Sequence, residues 1–359
     1  MKEYTAIGLM SGSSLDGIDL ALVHFTIDGE SINYHILAAE TMPYPELWQR
    51  QLSDAFLSNP DALKPLDHAY GCYLGQCVNS FIERVGAHPD FVASHGHTIF
   101  HRPEQGITLQ IGDGQAIADR CGIITINDFR SEDVSKGGQG APLVPIGDKL
   151  LFHDYEICLN IGGIANLSYE TNGNRIAYDV CIANQALNHL AHRVGLAYDK
   201  DGSRAREGKV NPVLFDRLND NVFYQQAPPK SLGREFFEMH QRVLLDGYEV
   251  AEALATMTEH IALQISRAVE PLSQGKMLVT GGGAHNRYLI ERIQHHTKHQ
   301  VVLPDDRTID YKEALIFALL GLLKMEGKTN VLRSVTGAST DSCSGRVWTP
   351  NPCRSNILV

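Results

Sequence analysis

Among the seven cysteines (72, 77, 121, 158, 181, 343 and 353) no two form a CxxC pair, and the number is odd. That spacing supports neither a zinc site nor a complete disulfide framework, and it reads as reduced core thiols in a cytoplasmic protein. No apolar run approaches the roughly 18 residues needed to span a bilayer. The opening Met1-Lys2-Glu3-Tyr4 carries no signal-peptide pattern and leads straight into a strand. Basic charge is in deficit: 31 Lys and Arg stand against 42 Asp and Glu, for a net charge of -11. An acidic balance argues against nucleic acid or an anionic membrane as the main partner. What is present, 43% hydrophobic and 20% charged residues over 359 positions, describes a soluble globular chain long enough for two domains.

The chain is organised around Gly8-Leu9-Met10-Ser11-Gly12-Ser13-Ser14-Leu15-Asp16-Gly17-Ile18-Asp19. An apolar run, Tyr4-Thr5-Ala6-Ile7, precedes this turn, and period-two alternation from Ile18 to Phe25 follows it, so the turn joins two strands of a hairpin. A Walker loop instead runs from strand to helix and closes on Gly-Lys-Ser/Thr; no such lysine is present here. Glycines let backbone approach a ligand closely, and Ser11, Ser13, Ser14 and the amides have donors for phosphate oxygens. Asp16 and Asp19 have the oxygens for a magnesium ion, directly or through water. An ordinary glycine-rich hairpin has the same composition, so the turn alone does not decide.

Three strands open the chain, near 5–10, 18–26 and 32–40, followed by helices near 45–58 and 63–86. A short strand at Phe91–Ser94 runs into His95-Gly96-His97-Thr98; a helix near 114–121 and a strand at Ile123–Ile126 follow. The order β-β-β-α-β-α-β implies a mixed sheet with helices on its faces. His95, His97 and His101 match no standard zinc spacing. A polar loop at the end of a parallel strand is where α/β folds place ligand contacts. His97 is therefore read as a substrate contact, and the other two as structural. Residues 131–145, rich in Gly and Pro, read as a flexible domain boundary.

The opening then repeats in outline. Strand Glu156–Ile161, turn Gly162-Gly163, strand Ile164–Tyr169, turn Asn172-Gly173 of the primed type, strand Arg175–Asp179 and a helix near Asn184 form the second series. Two similar halves, each with a glycine turn, point to two phosphate-binding hairpins and to a nucleotide. Helices follow near 187–194, 211–218 and 249–269, with a loop at Pro228–Glu235. Strand Met277–Thr280 ends in Gly281-Gly282-Gly283-Ala284 before a helix near Asn286, a shape that sets backbone against a flat ligand or phosphate, or simply makes a tight connection. A strand near 300–303 and a helix at Lys312–Met325 precede a tail, 340–359, that reads as irregular.

The assembled pattern resembles the actin, hexokinase and sugar-kinase superfamily. More narrowly, it is similar to the 1,6-anhydro-N-acetylmuramic acid kinases. The stretches that carry the resemblance are Gly8–Asp19, Ser94–His101, Thr108–Asp113, Asp128–Arg130, Gly137–Pro145, Asn160–Asn166, Pro228–Glu235, Gly281–Asn286, Lys312–Leu319 and Ser334–Ala338, in the family's order over nearly the whole chain. The resemblance implies a two-domain actin/hexokinase-like (ribonuclease H-like) α/β fold with a duplicated core and an interdomain cleft. It divides the chain into domains 1–130, completed by 340–359, and 131–339 with helical insertions. It implies an enzyme that opens the 1,6-anhydro bond with water and transfers the γ-phosphoryl of ATP to the freed 6-hydroxyl, giving N-acetylmuramic acid 6-phosphate in peptidoglycan recycling. Magnesium, a cytoplasmic location and a homodimer are implied as well, with no nucleic-acid or membrane partner.

Residue by residue, Asp179 matches the family's catalytic aspartate and is read as the general base; a helix N-cap is the alternative. Glu313 matches a sugar-contacting glutamate, or serves a helix dipole. His97 stands where the family usually has glutamine. Arg130 meets the lactyl carboxylate of the substrate or pairs within the fold. Gly12, Ser13, Ser14, Leu15, Asp16, Gly17 and Asp19 are expected on the β- and γ-phosphates, with Asp16 and Asp19 on magnesium. Asn160, Gly162 and Gly163 belong to the second hairpin of the nucleotide site, and Gly281, Gly282 and Gly283 lie against adenosine. One departure stands out: where the commonest family pattern after the aspartate is Thr-Gly-Pro-Gly-Asn, this chain has Val180-Cys181-Ile182-Ala183-Asn184. Two other readings compete, a kinase for another anhydrosugar such as levoglucosan and an actin- or chaperone-like nucleotide switch. Retention of Arg130 speaks against the first. The absence of an extended partner-binding domain after the ATPase core speaks against the second.

Overall fold

The computed structural model describes residues 1–12 and 15–352. The chain divides into two compact units: Met1–Leu151 together with the chain from Tyr311 onward, and Phe152–Asp310.

In the first unit, strands β1 (Lys2–Ser11), β2 (Gly17–Asp28), β3 (Ser31–Pro43) and β4 (Phe91–Ser94) are followed by a hairpin of β5 (His97–Arg102) and β6 (Ile107–Ile111), and then by β7 (Ile124–Asn127). The main sheet runs β7-β4-β1-β2-β3; β1, β2 and β3 pair antiparallel, whereas β4 lies parallel to both β1 and β7. Ile18, Leu20, Ala21, Leu22, Val23 and Phe25 of β2 are all buried, so both faces of this strand are covered. On one face the helix Lys64–Val85 contributes Tyr70, Leu74, Val78 and Phe81 to a cluster with Ile7, Leu9 and Leu20. The helix stops at Gly86, which takes the left-handed conformation (φ 66°) that glycine adopts without strain.

The C-terminal part of the helix Asp306–Met325, beyond a break in helical geometry at Tyr311, lies against β1. The missing side chain of Gly8 permits this: a Cβ there would stand 1.8 Å from the carbonyl oxygen of Ala314. Gly8→Ala is therefore expected to destabilise the first unit by about 3 kcal/mol, at the upper end of ordinary overpacking. A urea midpoint unchanged from the parent protein would show that the helix does not sit this close.

In the second unit, β8 (Ile157–Ile161), β9 (Ile164–Thr171) and β10 (Asn174–Ile182) precede β11 (Lys276–Thr280) and β12 (Gln300–Val302). The sheet order is β10-β9-β8-β11-β12, with β8, β9 and β10 antiparallel and β11 parallel to β8 and β12. The helix Val250–Val269 buries Leu254, Met257, Ile261 and Ile265 in the same cluster as Ile157, Leu159 and Ile161. Glu249 caps its start by accepting the backbone N–H groups of Ala251 and Glu252. Asn172 and Gly173 both have positive φ (49° and 75°), as the primed turn between β9 and β10 requires. The two sheets share one strand order and one set of directions. This is the duplicated β-β-β-α-β-α-β core of the actin/hexokinase-like, ribonuclease H-like class.

Several expectations are corrected. The first unit extends to Leu151 and resumes at Tyr311, so residues 131–151 and 311–339 belong with the first sheet, not with the second domain. Residues 131–145 are not a flexible boundary. Ser131–Ser135 is helical, and the buried carboxylate of Asp133 accepts the Gly140 N–H (2.8 Å) and the Thr336 hydroxyl (2.7 Å). A buried carboxylate needs such donors, and the Gly-rich stretch wraps around it to supply one. The tail is not wholly irregular either: β13 (Arg346–Trp348) pairs antiparallel with β7 and extends the first sheet. Instead of one polar loop, His97 and His101 lie on β5, paired with Ile111 and Thr108. Of the cysteines, Cys77, Cys158 and Cys181 are buried, whereas Cys72, Cys121 and Cys343 are half-buried, so not all belong to the core. No helix among the described residues is long and apolar enough to cross a membrane.

Candidate active site

In the first unit the glycine turn starts from Ser11, whose side chain is buried at the end of β1. Gly12 is half-buried, and the predicted phosphate ligands Ser13 and Ser14 lie outside the described residues. Leu15 takes φ 58° and packs against the apolar cluster beneath the sheet, which leaves its backbone as the part available to a ligand. Gly17 has a structural reason of its own: a Cβ would meet the Met42 carbonyl at 2.5 Å. Asp16 is exposed, and its carbonyl accepts the Tyr44 N–H (3.2 Å). Asp19 is half-buried and accepts the Thr41 hydroxyl through Oδ1 (2.6 Å).

His97, Arg130 and Glu313 all belong to this unit. Ser11 Oγ lies 2.8 Å from His97 Nδ1. Burial holds the His97 pKa down to about 4, so its ring is neutral at physiological pH. Arg130 donates from Nη1 to the Gly140 carbonyl (2.7 Å) and from Nη2 to His95 Nε2 (2.9 Å). The guanidinium is thus held within the fold, and its retention discriminates less between substrates than the sequence suggested. Burial lowers its pKa to about 10, with Glu313 opposing, and it stays charged at neutral pH. His95 packs on Phe317 at 4.7 Å, the structural role expected of it. The Glu313 carboxyl accepts no hydrogen bond among the described residues. Burial first, and the nearby Asp19 second, push its pKa up, against the pull of Lys312 and Arg130. Glu313 is half-buried, and a partly dehydrated carboxylate with no donor from the protein has lone pairs open to a ligand. The break at Tyr311 puts Glu313 in the first turn of the helical segment that follows, so service to that helix's dipole is compatible with its place.

Among the described residues no group of three or more His, Cys, Asp or Glu side chains is arranged around a metal. Magnesium, however, is commonly held by one or two carboxylates with waters and phosphate oxygens completing its shell. Asp16 on the exposed turn and Asp19, electrostatically coupled to Glu313, fit that demand.

In the second unit β10 carries Asp179 beside a register shift: Asp179 faces Asn166, Cys181 faces Ala165, and Val180 is the extra residue. Such a bulge bends the strand and re-aims a side chain. The Asp179 backbone N–H donates to the Lys230 carbonyl (3.1 Å), and its Oδ2 accepts the Leu232 N–H (2.8 Å). Burial raises the Asp179 pKa and that single backbone bond lowers it, with burial the larger effect. The carboxylate bonds to the 228–235 loop and not to the N-terminus of the helix Asn184–His192, so it is not that helix's cap.

The glycines of this unit divide into two kinds. Gly281 (φ 79°) and Gly283 are demanded by packing, since a Cβ would stand 2.6 Å from Asn160 Oδ1 and 2.3 Å from Ile161 Cγ2. Gly162, Gly163 and Gly282 have neither positive φ nor a crowded Cβ position, the nearest atoms being at 3.6, 3.8 and 3.7 Å. Their bareness has no reason within the chain, and close approach of a ligand supplies one. The Gly162-Gly163 carbonyls accept the N–H groups of Asn184 (3.1 Å) and Ala183 (2.8 Å), tying the turn to the start of the helix Asn184–His192. The departing residues Val180, Cys181, Ile182 and Ala183 are all buried, so these substitutions are accommodated in the core.

Two features escaped the sequence reading. Lys230 donates to the Phe223 carbonyl (3.1 Å) with its ammonium 4.6 Å from the Phe223 ring centre, anchoring the loop that holds Asp179. Tyr44 and Tyr70 make a buried hydroxyl chain to Ser11. Tyr70 had a signal only as one apolar position on a helix face, and Tyr44, between two prolines, had none.

A family model described as anhydro-N-acetylmuramic acid kinase matches residues 4–350. The anhydro-N-acetylmuramic acid kinase of Mannheimia succiniciproducens is 35% identical over an alignment of 379 residues, covering 97% of this chain and 99% of that protein. The Vibrio cholerae protein of the same name is 35% identical over 367 residues, covering 96% and 98%. Among solved structures, the activator of the 2-hydroxyisocaproyl-CoA dehydratase from Clostridium difficile is similar with a TM-score of 0.46 at 13% identity, over 90% of this chain and 96% of that one, a likeness too distant to bear on the site. With the family match running almost from end to end and the identity sustained over nearly the full length of both relatives, the chain belongs to the anhydro-N-acetylmuramic acid kinase family of phosphotransferases.

Proposed function

We propose that the enzyme couples hydrolytic opening of the 1,6-anhydro ring to phosphorylation of O6. Asp179 takes a proton from water, the water oxygen bonds to C1, and the C1–O6 bond breaks. O6 takes up the γ-phosphoryl group and ADP leaves. The products are N-acetylmuramic acid 6-phosphate and ADP, and the Asp179 proton is returned to solvent. The observation that carries this reading is the Asp179 carboxylate, presented at a bulge, largely dehydrated and held by one backbone donor. A base needs a free lone pair and a pKa lifted toward the working pH, and this setting supplies both.

The remaining roles follow from chemistry. Glu313 accepts from sugar hydroxyls, and His97 and Arg130 contact the substrate's polar groups. Backbone of Gly12–Gly17, with Ser13 and Ser14, takes the β- and γ-phosphates. Asn160, Gly162 and Gly163 serve the second phosphate hairpin, and Gly281–Gly283 lie along adenosine, where the uncrowded position at Gly282 is the most direct support. Asp16 and Asp19 would hold magnesium, which neutralises the charge developing on the transferred phosphoryl group. Cytoplasmic location, a place in peptidoglycan recycling and a homodimer complete the reading. Light scattering at twice the 39.6 kDa chain mass checks the dimer.

The deciding assay follows ADP release from ATP and magnesium with 1,6-anhydro-N-acetylmuramic acid, with N-acetylmuramic acid, with levoglucosan and with no sugar. Turnover only with the first sugar is expected. Equal turnover without sugar would replace this reading with a nucleotide switch, and preference for levoglucosan would replace the acceptor.

A further inference from the structure

Four buried side chains of the first unit form a single hydrogen-bonded line. Tyr70 OH meets Tyr44 OH, Tyr44 OH lies 2.7 Å from Ser11 Oγ, and Ser11 Oγ lies 2.8 Å from His97 Nδ1. Relative exposure is 0% for Tyr70, 5% for Tyr44, 4% for Ser11 and 5% for His97, so solvent is a poor substitute for any missing partner. The ring of Tyr70 also stands edge-on to that of His97, with centroids 6.4 Å apart.

The line has one direction in which every hydroxyl proton is used. Tyr70 makes its hydrogen bond with the Tyr44 oxygen, Ser11 being near it but outside good bonding geometry, so the Tyr44 proton goes on to Ser11. Ser11 Oγ then has one acceptor left, His97 Nδ1. Reversing the line leaves the buried Tyr70 proton without a well-formed hydrogen bond, which is unfavourable for a buried hydroxyl. Nδ1 must therefore be bare, and a neutral imidazole then carries its proton on Nε2. Burial, which holds this histidine neutral, acts in the same sense. No described side chain or backbone group pairs with Nε2.

We propose that Tyr70, Tyr44 and Ser11 are positioning residues that hold His97 in its Nε2–H tautomer, so that His97 donates a hydrogen bond to an acceptor oxygen of the anhydrosugar. The proposal rests on the reading of His97 as a sugar contact and adds to it a sign: this position recognises an acceptor, such as a carbonyl, carboxylate or ether oxygen. Because Ser11 is also the residue that leads into the phosphate turn, the line ties the orientation of His97 to the start of that turn.

The test joins a spectroscopic and a kinetic readout. The protein has 16 histidines, so the His97 signal in long-range 1H–15N spectra of the labelled enzyme is assigned by its loss in His97→Gln. At neutral pH, protonated Nε2 and bare Nδ1 are expected in the parent enzyme, with the tautomers mixed in Tyr44→Phe and Ser11→Ala. In the ADP-release assay, KM for 1,6-anhydro-N-acetylmuramic acid is expected to rise about tenfold in His97→Ala and in Tyr44→Phe, the scale of one neutral hydrogen bond, with kcat changed less. His97→Gln, whose amide also donates, is expected to restore most of the affinity. A parent enzyme with the proton on Nδ1, or a tautomer indifferent to Tyr44→Phe and Ser11→Ala, overturns the relay. An unchanged KM in His97→Ala overturns the donor role while the kinase reading stands. Absence of sugar-dependent ADP release in the parent enzyme would remove that reading itself, and the spectra would still judge the relay.

Discussion

Asp179→Asn is expected to lower kcat for the anhydrosugar by about 10²- to 10⁴-fold, the usual contribution of a positioned general base, without loss of folded stability. Asparagine keeps an oxygen able to accept the Leu232 N–H, so the loop contact survives while the proton acceptor is lost. The stability sign follows from burial. The folded-state pKa of Asp179 is raised above its ordinary 3.8, so the fold holds the proton more tightly than the unfolded chain does. Stability from this group is greatest below the unfolded value and declines as pH rises through the raised one, so at neutral pH the carboxylate carries its full desolvation cost. The amide has no such charge, and the variant is expected to unfold at an equal or higher temperature. The same shift places the acid limb of kcat/KM above the range of an exposed aspartate, because activity requires the unprotonated form. A variant that turns over at the parent rate, or a profile flat down to pH 4, would remove Asp179 from the role of base.

Lys312→Met is expected to cost about 3–5 kcal/mol in the unfolding of the first unit. The Lys312 ammonium and Asp148 carboxylate are 2.7 Å apart with both side chains only 5% exposed. They join the helix Pro145–Leu151 to the start of the helix that presses on β1. Methionine keeps much of the lysine stem but takes from the buried Asp148 the cation 2.7 Å away, and breaking a buried ion pair from one side is far more expensive than leaving it whole. Replacing both, as Lys312→Met with Asp148→Leu, is expected to recover most of the loss, because two apolar groups need no solvation. Urea denaturation of the single and double variants measures the difference. A single variant within 1 kcal/mol of the parent would show that water or another cation reaches Asp148. Because Lys312 adjoins Glu313, the single variant is also expected to weaken sugar binding.

The two β-β-β-α-β-α-β series were legible because their signals are local. Period-two alternation in β1 and β2, the Asn172-Gly173 turn, Glu249 before the long helix and Gly86 after another each act over a few residues, and each element forms where its residues ask for it. The motifs from Gly8–Asp19 to Lys312–Leu319 were enough to name the family, since a reaction of this kind constrains residue types at many separated points. Tertiary structure decided what depends on partners distant in sequence. Residues 131–145 looked like a linker because the Thr336 hydroxyl that helps satisfy Asp133 lies about two hundred positions away. Gly281, Gly282 and Gly283 are identical letters, yet two are demanded by the packing of Asn160 and Ile161 and one is not crowded at all. Arg130 turned inward to Gly140 and His95, and Tyr44 and Tyr70 turned out to orient a histidine, because a buried polar group must find its partner wherever the fold supplies one. Local chemistry thus set the elements and the family, whereas long-range satisfaction of buried polar groups and close approach at bare backbone set the role of each residue.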